Sequence, residues 1–396
     1  MVQDFIERIR ATGRRGGRLQ IRGAGSKDFY CVGCAADGRH EEREILDTRP
    51  LHGIVSYEPS ELVVCVRAGT PLPELESVLA GQGQCLPFEP PHFDSSHSGP
   101  ATVGGMVAAA LSGPARASSG AVRDHVLGVQ MINGRGQLLQ FGGTVIKNVA
   151  GYDVSRLMAG SMGTLGVLTQ INLKVLPVAP AEMTLRFSCD QADALARLHD
   201  WGRQPLPLNA SSWSTGNGEG ELHVRLRGAR AAVAAACKAL GGERLSEAEV
   251  AAHWQGCREQ RLAWFRNALA QGKALWRLSV PQTAPVLEEI QAQIQTQTGL
   301  LDASLLEALR GTFVEWHGGQ RWVAAPASVQ AAAALRAIAQ QAGGHARLFR
   351  AGQGQAAPPL TSRFQPLPSS LAAIHRALKK EFDPTGVFPD LPWTGA

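Results

Sequence analysis

Three glycine-rich segments constrain this 396-residue chain more than any other feature, because each marks a place where backbone passes close to something else. In the first, Gln20-Ile21-Arg22-Gly23-Ala24-Gly25-Ser26-Lys27 follows a short apolar strand. Two glycines flanking one small residue let successive backbone N–H groups turn toward an anion. A dinucleotide fingerprint would need a third glycine where Asp28 stands, and no Walker sequence occurs, so on its own this segment reads more readily as a tight turn. The second, Thr102-Val103-Gly104-Gly105-Met106, puts two glycines at the start of an apolar helix, a setting suited to a phosphate or a flat ring, or to close helix packing. The third has Gly160, Gly163 and Gly166 just before a long strand, inviting close approach by a ligand or by neighbouring backbone.

Composition narrows the class. Glycine is 44 of 396 residues, against an average near 7%, and the excess falls in these loops. With 44% hydrophobic and 18% charged residues the chain is not disordered, and its length suits two domains. The net charge of +5 is diffuse and forms no basic aromatic stripe, so no nucleic-acid partner is expected. No apolar run escapes Gly or Pro long enough to span a bilayer, and Asp4 and Glu7 argue against a secretory signal; a cytoplasmic protein is expected. Seven cysteines, an odd number, do not form a disulfide framework. Cys31 and Cys34 make a CxxC pair with only His40 near it, which reads as two reduced thiols rather than a metal site.

The periodicity predicts an opening helix with Val2, Phe5, Ile6 and Ile9 on one face, a strand at 62–66, and a helix carrying Leu72, Leu75, Val78 and Leu79. A hairpin of 126–132 and 138–141 turns at Asn133-Gly134-Arg135-Gly136. The alternation over 167–175 predicts a long strand with two unlike faces. Beyond Pro177–Pro180, alanine-rich helices alternate with strands 183–187, 221–227, 274–280, 312–316, 321–325 and 345–349, as in an antiparallel α+β domain. Trp254, Trp264 and Trp276 are expected in its core. A linker at 351–368 precedes a helix at 369–382. The expected domains are 1–178, 179–345, and a C-terminal segment 346–396 that returns to the first.

RGAGS, AGTPLPEL, LPFEPPHF, PATVGG, GAVRDHVLG and GGTVIKNVAGYDVSRLMAGSMGTLGVLTQINLKVLP together resemble the FAD-binding domain of the vanillyl-alcohol oxidase/PCMH flavoprotein superfamily. Within it, the chain looks like the E-subunit family of bacterial glycolate oxidases. The likeness is nearly continuous over 19–178, and thinner at Glu315–Trp322 and Phe382–Phe388. It implies an α+β fold: a PCMH-type FAD-binding domain of two α+β subdomains with a smaller α+β cap. It implies that Arg22, Gly23, Ala24, Gly25, Ser26 and Lys27 form the pyrophosphate loop, and that Thr102, Gly104 and Gly105 line the flavin. The backbone of Gly163, Gly166, Val167 and Leu168 would meet the adenosine, with Arg123 and Asp124 near the same pocket. Ser26 stands where covalent relatives often carry His, so FAD is expected to be noncovalent. Pro389-Asp390-Leu391 replaces the usual Asn-Pro-Gly, and the His-rich cap motif of the glycolate and D-lactate dehydrogenase relatives is missing. The implied partners are a second flavin subunit and an iron–sulfur subunit, through which the chain would meet the inner face of the membrane. The implied substrate is a small 2-hydroxy acid such as glycolate.

Oxidation of a 2-hydroxy acid needs a hydride acceptor, a base for the hydroxyl proton and a cation for the carboxylate. Arg321, between Trp316 and Trp322, is the candidate clamp, and His317 and His345 the candidate bases; packing roles compete for each. His92, His97 and His125 fall within cofactor loops and could face the ring. An alternative reading is a flavin-binding assembly or relay subunit that is not itself the site of oxidation.

Overall fold

The computed structural model describes residues 1–30, 43–93, 99–144, 153–215, 220–298, 303–354 and 363–393, with only the backbone described over 295–298. The chain divides into two units. The first comprises Met1–Ser112, Gly120–Val178 and Pro366–Ala396; the second comprises Gly113–Ser119 and Ala179–Gln365.

The first unit has two cores. The opening helix Val2–Arg14 buries Phe5, Ile6 and Ile9. These pack with Leu19, Leu46, Ile132, Val167, Val387 and Phe388, beside the parallel pair Leu19–Arg22 and Glu44–Asp47. The larger core lies on a five-stranded antiparallel sheet in the order Ile54–Glu58, Val63–Arg67, Val167–Lys174, Val126–Ile132, Leu138–Gly142. Leu72, Leu75 and Leu79 of the helix Leu72–Ala80, and Val103, Met106 and Val107 of the helix Val103–Ala109, close that core.

The central strand Val167–Lys174 has the expected two unlike faces: Val167, Thr169, Ile171 and Leu173 are all buried, while Leu168 and Asn172 alternate with the half-buried Gln170 and Lys174. Thr169 and Asn172 are buried with the apolar residues. The Thr169 hydroxyl donates to the Gln130 carbonyl at 3.1 Å, and Asn172 Nδ2 to the Gly143 carbonyl at 2.9 Å. Hydrogen bonds of this kind remove the cost that would otherwise keep such side chains at the surface.

The second unit is built on an eight-stranded antiparallel sheet. Its order is Glu243–Arg244, Ala181–Ser188, Gly220–Gly228, Leu208–Thr215, Phe313–Glu315, Gln320–Ala325, Ala274–Ser279, His345–Arg350. Trp276, Leu278, Val323 and Ala325 on one face meet Leu287, Ile290, Leu335 and Ile338 from the helices Leu287–Thr298 and Val329–Gln341. Trp254 and Trp276 are buried as expected, while Trp264 is half-buried. No helix among the described residues is long and apolar enough to cross a membrane.

Candidate functional site

The strand Leu19–Arg22 ends in a turn held from both sides. Thr48 donates its N–H to the Arg22 carbonyl at 2.9 Å, and Asp28 donates to Gly25, which has φ +80°, at 3.1 Å. Arg22 and Asp28 pair across the turn at 2.6 Å. Among the described residues, the backbone N–H groups of Gly23, Ala24, Gly25 and Ser26 make no hydrogen bond. All four residues line one cleft. Successive donors of this kind form an anion-binding surface. The space is tight: a Cβ on Gly23 would overlap Oγ1 of Thr102. Lys27 also lines the cleft, and its ammonium reaches the His92 carbonyl at 3.2 Å.

The second glycine segment differs from its expectation. The start of the helix Val103–Ala109 has no donors to spare for a phosphate. Val103 donates to Thr70 at 3.0 Å, Gly104 to Ala68 at 2.7 Å, and Gly105 to the Thr102 side chain at 3.2 Å. Gly104 lies so close to Ala68 that a Cβ would sit 2.8 Å from the Ala68 Cβ. Thr102, Gly104 and Gly105 therefore give the cleft a flat wall without free N–H groups, which suits a ring better than an anion.

The third segment is stitched along the same helix. Gly160 and Met162 donate to the carbonyls of Val107 and Ala108, at 3.0 and 2.9 Å. Gly163 has φ +72°, and a Cβ on Gly166 would lie 2.6 Å from the Ile132 carbonyl. Both glycines are buried, and among the described residues their N–H groups make no hydrogen bond. Gly163, Gly166 and Leu168 line the cleft. Val167, by strand alternation, turns into the core with Phe5 and Leu19, so only its backbone belongs to this wall.

Arg123 and Asp124 are not brought to this cleft. They line a separate one with Asp153, Arg156, His375 and Trp393. The cleft also takes in Gln20, Ile21, Asp28, Ala108, Ser161 and Met162, which belong to or adjoin the glycine segments without being singled out as ligands, and Thr48 and Ala68, which lie outside those segments. The one signal for Ala68 is its place at the head of the segment AGTPLPEL. His92 Nε2 lies 3.0 Å from Glu76, and His125 is buried against Phe88, ring centroids 5.3 Å apart. His97, Cys31, Cys34 and His40 lie outside the described residues. No group of three or more His, Cys, Asp or Glu side chains among the described residues could hold a metal ion.

In the second unit, Arg321 is a core residue. Its partners across the sheet are Leu278 and Val314, and it is fully buried on the helix side. Nε donates to the Gly318 carbonyl at 2.7 Å and Nη2 to Ala284 at 3.0 Å, and burial lowers its pKa to about 10. Trp322, on the opposite face, donates to the buried carboxyl of Glu315 at 2.6 Å. His317 sits between Trp316 and Gly318 in a run of three left-handed residues, with φ of 54°, 55° and 95°. Ser211 Oγ lies 3.0 Å from its Nδ1 and Ser118 Oγ 3.1 Å from its Nε2. Burial lowers the His317 pKa to about 4, so the ring is neutral near pH 7. Trp316 donates to the Gly113 carbonyl at 3.0 Å and is covered by the Arg116 guanidinium at 4.5 Å, which ties the loop to Gly113–Ser119. His345 is exposed at the start of its strand, paired in register with Ser279.

A cleft walled by three glycine segments, one of which offers four consecutive N–H groups without a partner among the described residues, has the form of a site for a phosphate-bearing ligand held by main chain. Residues 2–156 match the family described as FAD binding domain, and FAD is the cofactor of this PCMH-type fold. The chain belongs to the family of the glycolate oxidase subunit GlcE. It is 41% identical over 371 residues to that subunit from Escherichia coli (strain K12), spanning 93% of this chain and 91% of the relative. It is 26% identical over 294 residues to a D-2-hydroxyglutarate dehydrogenase of Xanthomonas citri pv. viticola, covering 69% and 60% of the two chains. An alkyldihydroxyacetonephosphate synthase structure shares the fold at 15% identity and a TM-score of 0.63, covering 96% of this chain and 74% of that one.

Proposed function

We propose that this chain is the flavin-binding subunit of a complex that oxidises glycolate or a similar 2-hydroxy acid, and that it binds FAD and relays electrons rather than hosting the oxidation. FAD would supply reversible two-electron acceptance when bound. The N–H groups of Gly23–Ser26 would hold the pyrophosphate, the Thr102–Gly105 wall would flank the flavin, and Gly163–Leu168 would meet the adenosine. Attachment is noncovalent on this reading, since Ser26 offers a hydroxyl where covalent relatives carry an imidazole. Electrons would pass to a second flavin subunit and an iron–sulfur subunit.

The observation that carries the relay reading is that the expected catalytic cation is committed elsewhere. The Arg321 guanidinium is fully buried, with Nε and Nη2 bonded to two carbonyls of its own unit and only Nη1 without a partner among the described residues, which speaks against a clamp for a substrate carboxylate. One observation favours a second reading, in which the chain performs the oxidation itself. His317 is neutral, hydroxyl-bonded and held in a left-handed run, a kind of backbone strain that concentrates at active sites.

The anaerobic visible spectrum of the purified chain, before and after glycolate, separates the two. A flavin band that persists supports the relay reading, and a band that bleaches with this chain alone supports the second.

A further inference from the structure

One buried ammonium in the first unit has a role that none of the motifs announces. Lys379 lies near the end of the helix Ser369–Phe382, and its side chain is only 13% exposed. Its Nζ lies 2.8 Å from the Thr164 carbonyl, 2.6 Å from Asp383 Oδ2, 3.1 Å from the Phe388 carbonyl and 3.0 Å from that of Pro389. Asp383, fully buried, in turn accepts the N–H groups of Val387 at 3.0 Å and Phe388 at 2.9 Å. Three carbonyls and a carboxylate from two separate stretches of sequence therefore converge on one cation.

Thr164 lines the neighbouring cleft of Arg123 and Asp124, but its chain neighbours Gly163 and Gly166 line the cofactor cleft. It lies between Gly163 and Gly166, whose buried N–H groups have no hydrogen bond among the described residues. The Thr164 N–H and hydroxyl both return to the Ser161 carbonyl, at 3.0 and 2.6 Å, which makes a local turn. Its own carbonyl is the handle by which the C-terminal segment holds that turn. Carbonyl–ammonium bonds are stronger than neutral ones, and a peptide plane fixed at its oxygen also fixes the next N–H, here that of Leu165, and so limits where the chain enters Gly166.

We propose that Lys379 is a positioning residue for the cofactor: by holding the Thr164 carbonyl it sets the Gly163–Gly166 turn that receives the adenosine half of FAD. This rests on the FAD site proposed above. A lysine that only stabilised the fold would affect every flavin alike. A lysine that positions the adenosine wall affects FAD and spares FMN, which lacks that half.

The test compares equilibrium binding of FAD and of FMN to the full-length apoprotein, by flavin fluorescence, for wild type and Lys379→Met. Because the single change leaves Asp383 buried without its cation, the double variant Lys379→Met with Asp383→Asn is measured as well. The expected result is a FAD affinity lowered about tenfold and an FMN affinity changed less than about twofold, in whichever variant folds. Equal losses for the two flavins, or no loss for either, would overturn the proposal. A wild-type chain that binds neither flavin would overturn the FAD site itself, an outcome distinct from the other two.

Discussion

The two units deploy their polar groups differently. In the first, main chain lines the cleft: N–H groups of Gly23–Ser26, a glycine wall at 104–105, and two more buried N–H groups at Gly163 and Gly166. In the second, side chains carry the polarity, and they spend it on one another. Arg321 caps two carbonyls, Glu315 receives Trp322 and Gln320, and Ser212 lies 2.7 Å from His253, which stacks on His223 at 4.0 Å. The first arrangement leaves donors for a ligand. The second builds an interior of side-chain hydrogen bonds, in which Gln260 Oε1, Gln320 Oε1 and Arg321 Nη1 make none among the described residues.

The contrast makes opposite demands on substitution. A side chain on the first unit's glycine wall should cost the most in function. Gly104→Leu places a Cβ 2.8 Å from the Ala68 Cβ and 2.9 Å from its carbonyl. Overpacking of roughly 1–3 kcal/mol corresponds to a loss of about five- to 150-fold, which is expected in FAD affinity measured by fluorescence titration. In the second unit the cost should fall on stability instead. Arg321→Ala strips hydrogen bonds from the Gly318 and Ala284 carbonyls and leaves a cavity. A loss of roughly 2–4 kcal/mol in denaturant unfolding is expected, with FAD affinity retained.

Acid should also act through the second unit. Burial lowers the pKa of His223 and His317 to about 4 and of His253 to about 3, from an ordinary 6.5. Each stays neutral when folded and takes up a proton when unfolded. Their contribution is therefore complete above about pH 6.5 and is lost as pH falls toward about 4. Glu315 opposes them. Burial raises its carboxyl from 4.5 to about 7, so its contribution is present below pH 4.5 and is lost as pH rises toward 7. Three groups against one leave a net loss of stability on acidification from about pH 6.5 to about pH 4.5, seen as a falling melting temperature. His317→Asn should flatten that slope. The smallest effect belongs to Arg123→Ala and Asp124→Ala. Lining another cleft, they should change FAD affinity less than about twofold.

The same contrast separates what is legible in the chain from what is not. Glycine loops announce themselves by composition, so the walls at 22–27, 102–105 and 163–168 can be read from the residues alone. The free donors are less legible. Gly104 and Gly105 read like an open helix end, but Ala68, Thr70 and Thr102 consume the N–H groups there, and those partners come from tertiary structure. Side-chain roles on the second unit's sheet depend on which face the helices cover. The residues around Arg321 give the alternation but not its sign, so Arg321 reads as a substrate ligand and lies in the core. The strand Leu208–Thr215 escapes the periodicity because its Ser and Asn residues carry no apolar alternation, although Ser211 and Ser212 are buried against His317 and His253.

The central claim is that the main chain of Gly23–Ser26 holds the cofactor. It is tested most directly by titrating FAD into the apoprotein of wild type and of Gly23→Val, whose Cβ would overlap Thr102, with circular dichroism to confirm that both are folded. The account predicts one FAD per wild-type chain and a loss of about a hundredfold or more in the folded variant. Equal affinity in the two proteins would contradict it.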